Sequence, residues 1–529
     1  MINLLLPSNK STKINLLYLF YNQQNLNIEE ISNTLNCSKR TVSRYINELN
    51  TEIFELMDIS NLIIKDSSKT CYLNHLFREQ LPRIYGEINY LYLKDSTSFN
   101  IILLILSNGS ISIDEVCDSL YISKSHAYHL IQELNILIMN FGIKIGQNAD
   151  KKLVFIGNEI NIRVFLYSIF ISGIPNSIWL FPIPKERIYE KTRKIINGHD
   201  ISEYSFHNLL ILCSILHCRL SNGFSLSLSF VTPLIKDLEK FQIDSLCFED
   251  YFSNYSLSSK MIVNEELMFT VFIQILFNDI VSPEKIIQVA ETIVQTNSEK
   301  IIFLNSLIEQ CKIEFSLELS LDQSYQFIYY YSLFLMLSVI LGQLDLIGLL
   351  SKDVFWEREM LSLDSYRYSK KKIKKVLDGI EEIYISRVQN VKEKKLQSEL
   401  MKTFNIHHFS RLTYILFTAV KTKVVFIHLH FTKDYFTGKF VKDKLIHVFQ
   451  NNIIEFTEDV NNASLIITDN TQVVSDKSNI IFIDNILNSE QLSILLASIS
   501  KIYVKLSSDL FRKNEMENQR KTRHEVKRI

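Results

Sequence analysis

The sequence predicts a multidomain, mainly helical chain with tandem winged helix-turn-helix units at its N-terminus, a long all-α middle and a small C-terminal α/β domain. Three observations carry this. The 529 residues include only 12 Gly and 7 Pro, far below the usual shares of about 7% and 5%, which excludes sandwiches, barrels and enzymes built on Gly-rich phosphate loops. A segment near the N-terminus recurs 85 residues further on. From about residue 420 the long helical periodicity gives way to short apolar strands alternating with helices.

Length and charge narrow the reading. At about 100–200 residues per domain the chain accommodates three to five domains, and 47% hydrophobic with 22% charged residues excludes a disordered chain. The net charge is -1, so affinity for nucleic acid must come from a local patch rather than from the field of the whole chain. Cys37, Cys71, Cys117, Cys213, Cys218, Cys247 and Cys311 form no CxxC pair and read as reduced core thiols of a cytoplasmic protein. The start, MINLLLPSNK, lacks the basic lead and apolar length of a secretory signal. Between Asp322 and Asp345 lies an uncharged stretch about long enough to span a bilayer. Its Ser324, Gln326, Tyr329, Tyr330, Tyr331, Ser332, Ser338 and Gln343 mark it instead as a helix buried in protein, and no membrane partner is expected.

The elements follow in order. Ile14, Leu16, Leu17, Leu19 and Phe20 predict a first helix over Lys13–Tyr21. In NIEEISNTLNCSKRTVSRYINELN, Ile28, Ile31 and Leu35 repeat at helical spacing, Asn36 tolerates a left-handed turn, and Ser38 caps a helix whose inner face is Val42, Tyr45, Ile46 and Leu49. Two short helices around a tight turn, the second opening with Ser38, Lys39, Arg40, Thr41, Ser43 and Arg44, form a helix-turn-helix. A recognition helix enters the major groove by its N-terminal half, where Arg bonds guanine edges and Ser, Thr and Lys hold phosphates. Arg40 and Arg44 lie on one face as base readers; Ser38, Lys39 and Thr41 suit phosphates. NLIIKDSSKTCYLN then reads as the two strands of a wing.

The second copy is VCDSLYISKSHAYHLIQELN, with Val116 on Ile31, Leu120 on Leu35, Ser123 and Lys124 on Ser38 and Lys39, and Leu134 and Asn135 on Leu49 and Asn50. GIKIG and LVFIG supply its wing. Arg40 and Arg44 become Ser125 and His129, and Asn36 becomes Tyr121, so this copy either contacts DNA through Ser123, Lys124, His126 and His129 or braces the first. The expected domains are 1–75 and 76–160 for the winged units, 161–280 and 281–415 for two helical units, 420–508 for the α/β domain and 509–529 for a charged tail. In the second helical unit a helix starts at Pro283. Lys370, Lys371, Lys372, Lys374 and Lys375 read as a solvated helix face. In the last domain KVVFIHLHF, SLIITDN and NIIFIDN are strands, FVKDKLIHVFQNN is a helix, and SEQLSILLASISKIYVKL closes the fold.

This order of parts resembles the Mga/AtxA family of Gram-positive virulence regulators. The resemblance spans nearly the whole chain in architecture, and its sequence support lies at Ser38–Asn50, Ser123–Asn135 and the strand KVVFIH. It implies that the helical units are phosphotransferase-system regulation domains, that the last domain is enzyme IIB-like, and that the protein is a cytoplasmic, DNA-binding activator tuned by histidine phosphorylation and oligomerisation. An enzyme IIB carries its phosphate on a Cys after the first strand. Here KVVFIHLHFTKDYFTG offers His428 and His430, and no Cys follows Cys311, so the domain is expected to be an interaction surface. HNLLILCSILHCRLSNGF places His207 and His217 beside Arg219 and Gly223, which resemble the Arg and Gly of regulation-domain helices, and His407 and His408 are the candidates of the second unit.

The expected partners are double-stranded promoter DNA, a second copy of the chain through the α/β domain, and an HPr-type phosphodonor. No cofactor or metal site is expected. The competing reading is a phosphotransferase-responsive RNA-binding antiterminator or a protein-interaction signalling module, but a small β-rich RNA-binding domain would then stand where the N-terminal helices are. Enzyme activity has no motif to support it.

Overall fold

Helix α1 (Ser8–Asn22) opens one turn earlier than its apolar run, the Pro7 carbonyl accepting the Ser11 amide at 2.9 Å. The computed structural model describes residues 5–22, 25–66, 69–197, 199, 201–226, 239–241, 246–276, 281–296, 299–315, 319–341, 373–376, 413, 424–431, 435–449, 453–460, 462–469, 479–483 and 489–509. The chain divides into two units, Met1–Ile293 with Ser332–Asp353 and Val294–Tyr331 with Val354–Ile529. The chain is mainly helical, with helix-turn-helix domains at the N-terminus, as the sequence predicts.

After α1 come β1 (Asn25–Asn27), α2 (Ile28–Thr34), α3 (Lys39–Met57), β2 (Ile63–Lys65) and β3 (Thr70–Leu73). The strands form an antiparallel sheet in the order β1-β3-β2. β2 and β3 are the expected wing; β1, three residues long, is too short to announce itself in the sequence. The buried inner faces are Ile14, Leu17 and Phe20 of α1, Ile31 of α2, and Val42, Tyr45, Ile46, Leu49 and Ile53 of α3.

Two bridging helices, α4 (Leu81–Lys94) and α5 (Thr97–Asn108), lead to α6 (Ile113–Leu120), α7 (Lys124–Ile138) and the antiparallel wing β4 (Ile143–Gln147) and β5 (Leu153–Gly157). The sequence repeat is a repeat of construction. Asn27 with Glu30, and Ser112 with Glu115, form capping boxes at the same place. Asn36 and Tyr121 both take left-handed backbone, φ 50° and 55°. The paired Leu-Asn acquires its meaning here: Asn50 Nδ2 donates to the Ile63 carbonyl at 2.9 Å and its Oδ1 accepts the Ile63 amide at 3.0 Å. Asn135 does the same to Ile145, at 2.9 and 2.6 Å. Each asparagine thus clamps a recognition helix to the first strand of its wing.

The second wing runs directly into α8 (Glu159–Gly173), followed by α9 (Lys185–Ile196), α10 (Glu203–Ser221), the short α11 (Glu249–Phe252) and α12 (Ser259–Leu276). A buried charge network joins them. Glu159, the first residue of α8, accepts from Arg219 Nε at 2.9 Å and Nη2 at 2.7 Å, and from Arg163 Nε at 3.0 Å. Arg163 also donates from both terminal nitrogens to Glu265 of α12, at 2.5 and 3.0 Å. Burial works against the charge on Arg163, yet Glu265 and Glu159 hold its pKa above the usual arginine value. Beyond α10, Asn222 lies against the end of α5 so closely that a methyl group on Gly109 would stand 2.5 Å from its Cβ; Gly109, at φ 70°, is the residue that the joint requires.

Helices α13 (Pro283–Gln295), α14 (Glu299–Phe315) and α15 (Leu321–Leu341) follow. Helix α15 carries the uncharged stretch; Phe327, Ile328, Tyr329 and Tyr331 are buried, and the Tyr331 hydroxyl lies 3.0 Å from that of Thr413. Among the described residues no helix is long and apolar enough to cross a membrane. Of the cysteines, Cys71, Cys213, Cys218 and Cys311 are buried, Cys37 and Cys117 are partly so, and Cys247 is exposed, correcting its reading as a core thiol. Lys374 and Lys375 are exposed, whereas Lys370, Lys371, Lys372 and the charged tail lie outside the described residues.

At the C-terminal end, β6 (Val425–His430), α16 (Tyr435–Phe449), β7 (Ile454–Phe456), β8 (Leu465–Thr468), β9 (Asn479–Phe482) and α17 (Ser489–Asp509) form a parallel sheet in the order β7-β6-β8-β9 with helices packed on it. Val425, Ile427, Leu465 and Ile467 meet Val441 and Leu445 of α16 and Leu495 and Ile499 of α17 in one core.

Removing either clamp leaves a strand amide and carbonyl without their partner, a cost of about 1–3 kcal/mol. Asn50→Ala is expected to speed amide exchange in β2 roughly tenfold or more, and Asn135→Ala to do so in β4, each leaving the other wing unchanged. Hydrogen–deuterium exchange read by peptide mass checks this.

Candidate nucleic-acid interface and regulatory histidines

Ser38 caps α3 by accepting the Thr41 amide at 3.0 Å, and the two hydroxyls lie 2.8 Å apart. Lys39, Arg40 and Arg44 are exposed, with Thr41 and Ser43 half-buried between them. Their electrostatics differ. Lys39 pairs with Glu29 at 2.9 Å, and that hydrogen bond holds the Glu29 carboxyl below its usual range. Arg44 lies 3.5 Å from Glu48 and over the Tyr45 ring, 5.1 Å from its centroid. Arg40 has no ion pair among the described residues. Exposed Lys65 of the wing reaches Ser43 at 3.4 Å, adding a cation that sequence reading did not single out; its signal was its place at the polar end of a short apolar strand.

Behind this face a buried ammonium anchors the helix. Lys13 of α1 binds Glu48 at 2.8 Å and Glu52 at 2.7 Å, and Glu52 also accepts the Tyr92 hydroxyl of α4. Burial lowers the Lys13 pKa, but the hydrogen bonds to Glu48 and Glu52 outweigh it, so the net shift is upward. Glu48 therefore touches Lys13 with one oxygen and Arg44 with the other.

The second copy keeps the frame and changes the chemistry. Ser123 caps α7 through the His126 amide at 3.2 Å. Lys124 pairs with Asp114 at 2.5 Å, the same placing as Lys39 with Glu29, and this hydrogen bond raises the Lys124 pKa. His129 Nδ1 lies 3.7 Å from Glu133. Ser123, Lys124, Ser125, His126 and His129 are all exposed.

The regulatory candidates separate clearly. His207 is buried in α10, where desolvation and then Lys185 lower its pKa. His217, two turns or more further along, is only partly buried; its Nδ1 lies 2.6 Å from the Tyr255 hydroxyl, and Ser221 Oγ is 3.5 Å from Nε2. Burial, then Lys191 and Arg187, pull its pKa down to about 4. Lys191 sits over the Tyr251 and Tyr255 rings, 5.8 and 5.7 Å from their centroids. His407 and His408 lie outside the described residues. In the C-terminal sheet His428 Nδ1 is 2.9 Å from the Thr457 carbonyl, with His430 beside it at 6.4 Å between ring centroids.

Comparison with known proteins bears on this arrangement. Residues 83–170 match the Mga helix-turn-helix domain, and residues 12–61 match an HTH domain. The chain is 22% identical over 228 residues to the capsule synthesis positive regulator AcpA of Bacillus anthracis, a match covering 41% of this chain and 44% of AcpA. It is 24% identical over 153 residues to a protein of Streptococcus pneumoniae serotype 4 named as a trans-acting regulator, covering 29% of this chain and 28% of that protein. The chain therefore spans less than half the length of either relative in these matches.

The depressed pKa of His217 sets a pH dependence. Between its ordinary value near 6.5 and about 4, the unfolded chain binds the proton that the folded site refuses, so this contribution is complete above the upper value and is lost as pH falls through the window. His217→Gln is expected to flatten the fall in melting temperature between pH 7 and pH 4.5, measured by differential scanning fluorimetry across that range.

Proposed function

We propose that this chain, which belongs to the Mga/AtxA family of regulators, is a homodimeric activator that reads promoter DNA chiefly with its first winged helix and is tuned by phosphotransferase-system phosphorylation of histidine. The observation that carries the reading is the duplicated recognition frame, cap against cap and clamp against clamp, with the exposed guanidinium of Arg40 in the first copy. In this reading Arg40 and Arg44 bond base edges, Ser38, Lys39, Thr41 and Ser43 hold phosphates, and Ser123, Lys124, His126 and His129 make the weaker contacts of the second copy. The name of AcpA, a positive regulator of capsule synthesis, supports activation of surface or virulence genes.

The helical units act as phosphotransferase regulation domains and the C-terminal sheet as an enzyme IIB-like domain through which two copies pair. Pairing doubles the phosphate contacts and adds avidity that a chain of net charge -1 needs. Of the two described regulatory histidines, His217 is the better acceptor from an HPr-type donor. Tyr255 orients its ring, its other nitrogen faces the Ser221 side, and Lys191 and Arg187 are at hand to pair with the added phosphate.

Arg40→Ala with Arg44→Ala is expected to weaken binding to a promoter fragment at least tenfold and to relax the preference for that fragment over an unrelated duplex. Fluorescence anisotropy with the promoter fragment and with an unrelated duplex reads both; unchanged affinity and preference would remove the assignment. With phosphoenolpyruvate, enzyme I and HPr, acid-labile phosphate is expected on His217 and to disappear in His217→Ala, as phosphopeptide mapping would show.

A further inference from the structure

Tyr121 occupies the bend between α6 and α7 with φ 55°, a conformation that bulky L residues avoid because Cβ crowds the following carbonyl. The fold does not ask for a tyrosine there: the first copy makes the same bend at φ 50° with Asn36, whose short polar side chain tolerates it. Packing does not ask for one either, since Tyr121 is 95% exposed. An aromatic ring held in a strained backbone, touching almost nothing of its own protein, points to a contact outside it.

The surroundings say which. Tyr121 stands two residues before the Ser123 cap, on the edge from which a recognition helix meets its duplex. Here Ser125 replaces Arg40, Lys124 is paired with Asp114, and exposed Tyr128 stands where the first copy has Ser43. The second copy thus has no guanidinium at these positions, and instead exposes two tyrosine rings where the first copy has Asn36 and Ser43. A tyrosine ring packs on deoxyribose and its hydroxyl donates to a phosphate oxygen without displacing a counterion.

We propose that Tyr121 is a DNA-contact residue of the second helix-turn-helix, packing its ring on the sugar-phosphate backbone and donating its hydroxyl to a phosphate. This rests on the DNA-binding reading above. The test uses the full chain and a duplex recovered by crosslinking the tagged protein to its genome, with Tyr121→Asn, Tyr121→Gly, and Arg40→Ala as control. Both Tyr121 variants are expected to melt at or above the parent temperature, yet to bind about fivefold or more weakly, with the salt slope unchanged. Arg40→Ala weakens binding and relaxes sequence preference. Affinity within twofold of the parent for both Tyr121 variants, beside a weakened Arg40→Ala, overturns the proposal alone; no loss in any variant overturns the DNA reading with it. Weaker binding that comes with a lower melting temperature makes Tyr121 a structural residue, and unchanged binding with reduced promoter-driven transcription assigns it to a protein partner. Either result overturns the contact proposed.

Discussion

The carboxylate of Glu159 holds two buried arginines, and much of the N-terminal unit hangs on that junction. It opens α8, one residue beyond the second wing, and through Arg219 and Arg163 it ties α8 to α10 and, by way of Glu265, to α12. Two positive and two negative side chains taken out of water together cost little net charge, but each alone would be severely destabilising. The network is therefore all or none. It gives α8, α10 and α12 a directional contact with defined partners, where a purely apolar contact would be non-directional.

A comparable economy governs the helix-turn-helix pair. The interactions that build the frame recur in both copies even where the residue changes: the capping boxes, the left-handed bend, the lysine paired with an acid, the asparagine clamp. The positions that face outward have diverged, from Arg40, Ser43 and Arg44 to Ser125, Tyr128 and His129. Local geometry is conserved by hydrogen bonds within each copy, which leaves the outer surface at liberty to change its chemistry. Locally, Glu29, Glu48 and Asp114 sit against the very cations that define the face and offset their charge.

What could be read in the sequence was whatever repeats or depends on near neighbours. Helical periodicity, the caps at Ser38 and Ser123, the bend at Asn36 and the two wings are local signals, and so is the alternation that yields the parallel strands Val425–His430 and Leu465–Thr468. The Leu-Asn pair was visible as a coincidence between copies, but its role needs the wing strand that accepts the asparagine, and that partner is fixed only by the fold. Glu159 and Arg219 are 60 positions apart, and Lys13 reaches Glu52 across 39, so no spacing rule announces either pair. Strands as short as Asn25–Asn27 and Ile454–Phe456 exist because a neighbouring strand offers hydrogen bonds, not because their side chains alternate. Among the candidate histidines, sequence placed His207 and His217 on equal terms; what separates them is burial and the company of Tyr255, Lys191 and Arg187.

The seat that Gly109 provides for Asn222 has a mechanical meaning. Helix α10 carries His217 and, one turn beyond, delivers Asn222 onto the end of α5 with no room for even a methyl group. The joint is close-packed, and α5 in turn packs against α6 and α7. A recognition helix of 15 residues is about 22 Å long at about 1.5 Å per residue. A tilt of only about 5° at its base sweeps its tip through about 2 Å, more than half the length of a hydrogen bond. The glycine thus sets the separation at which α10 meets the helix that supports the second helix-turn-helix.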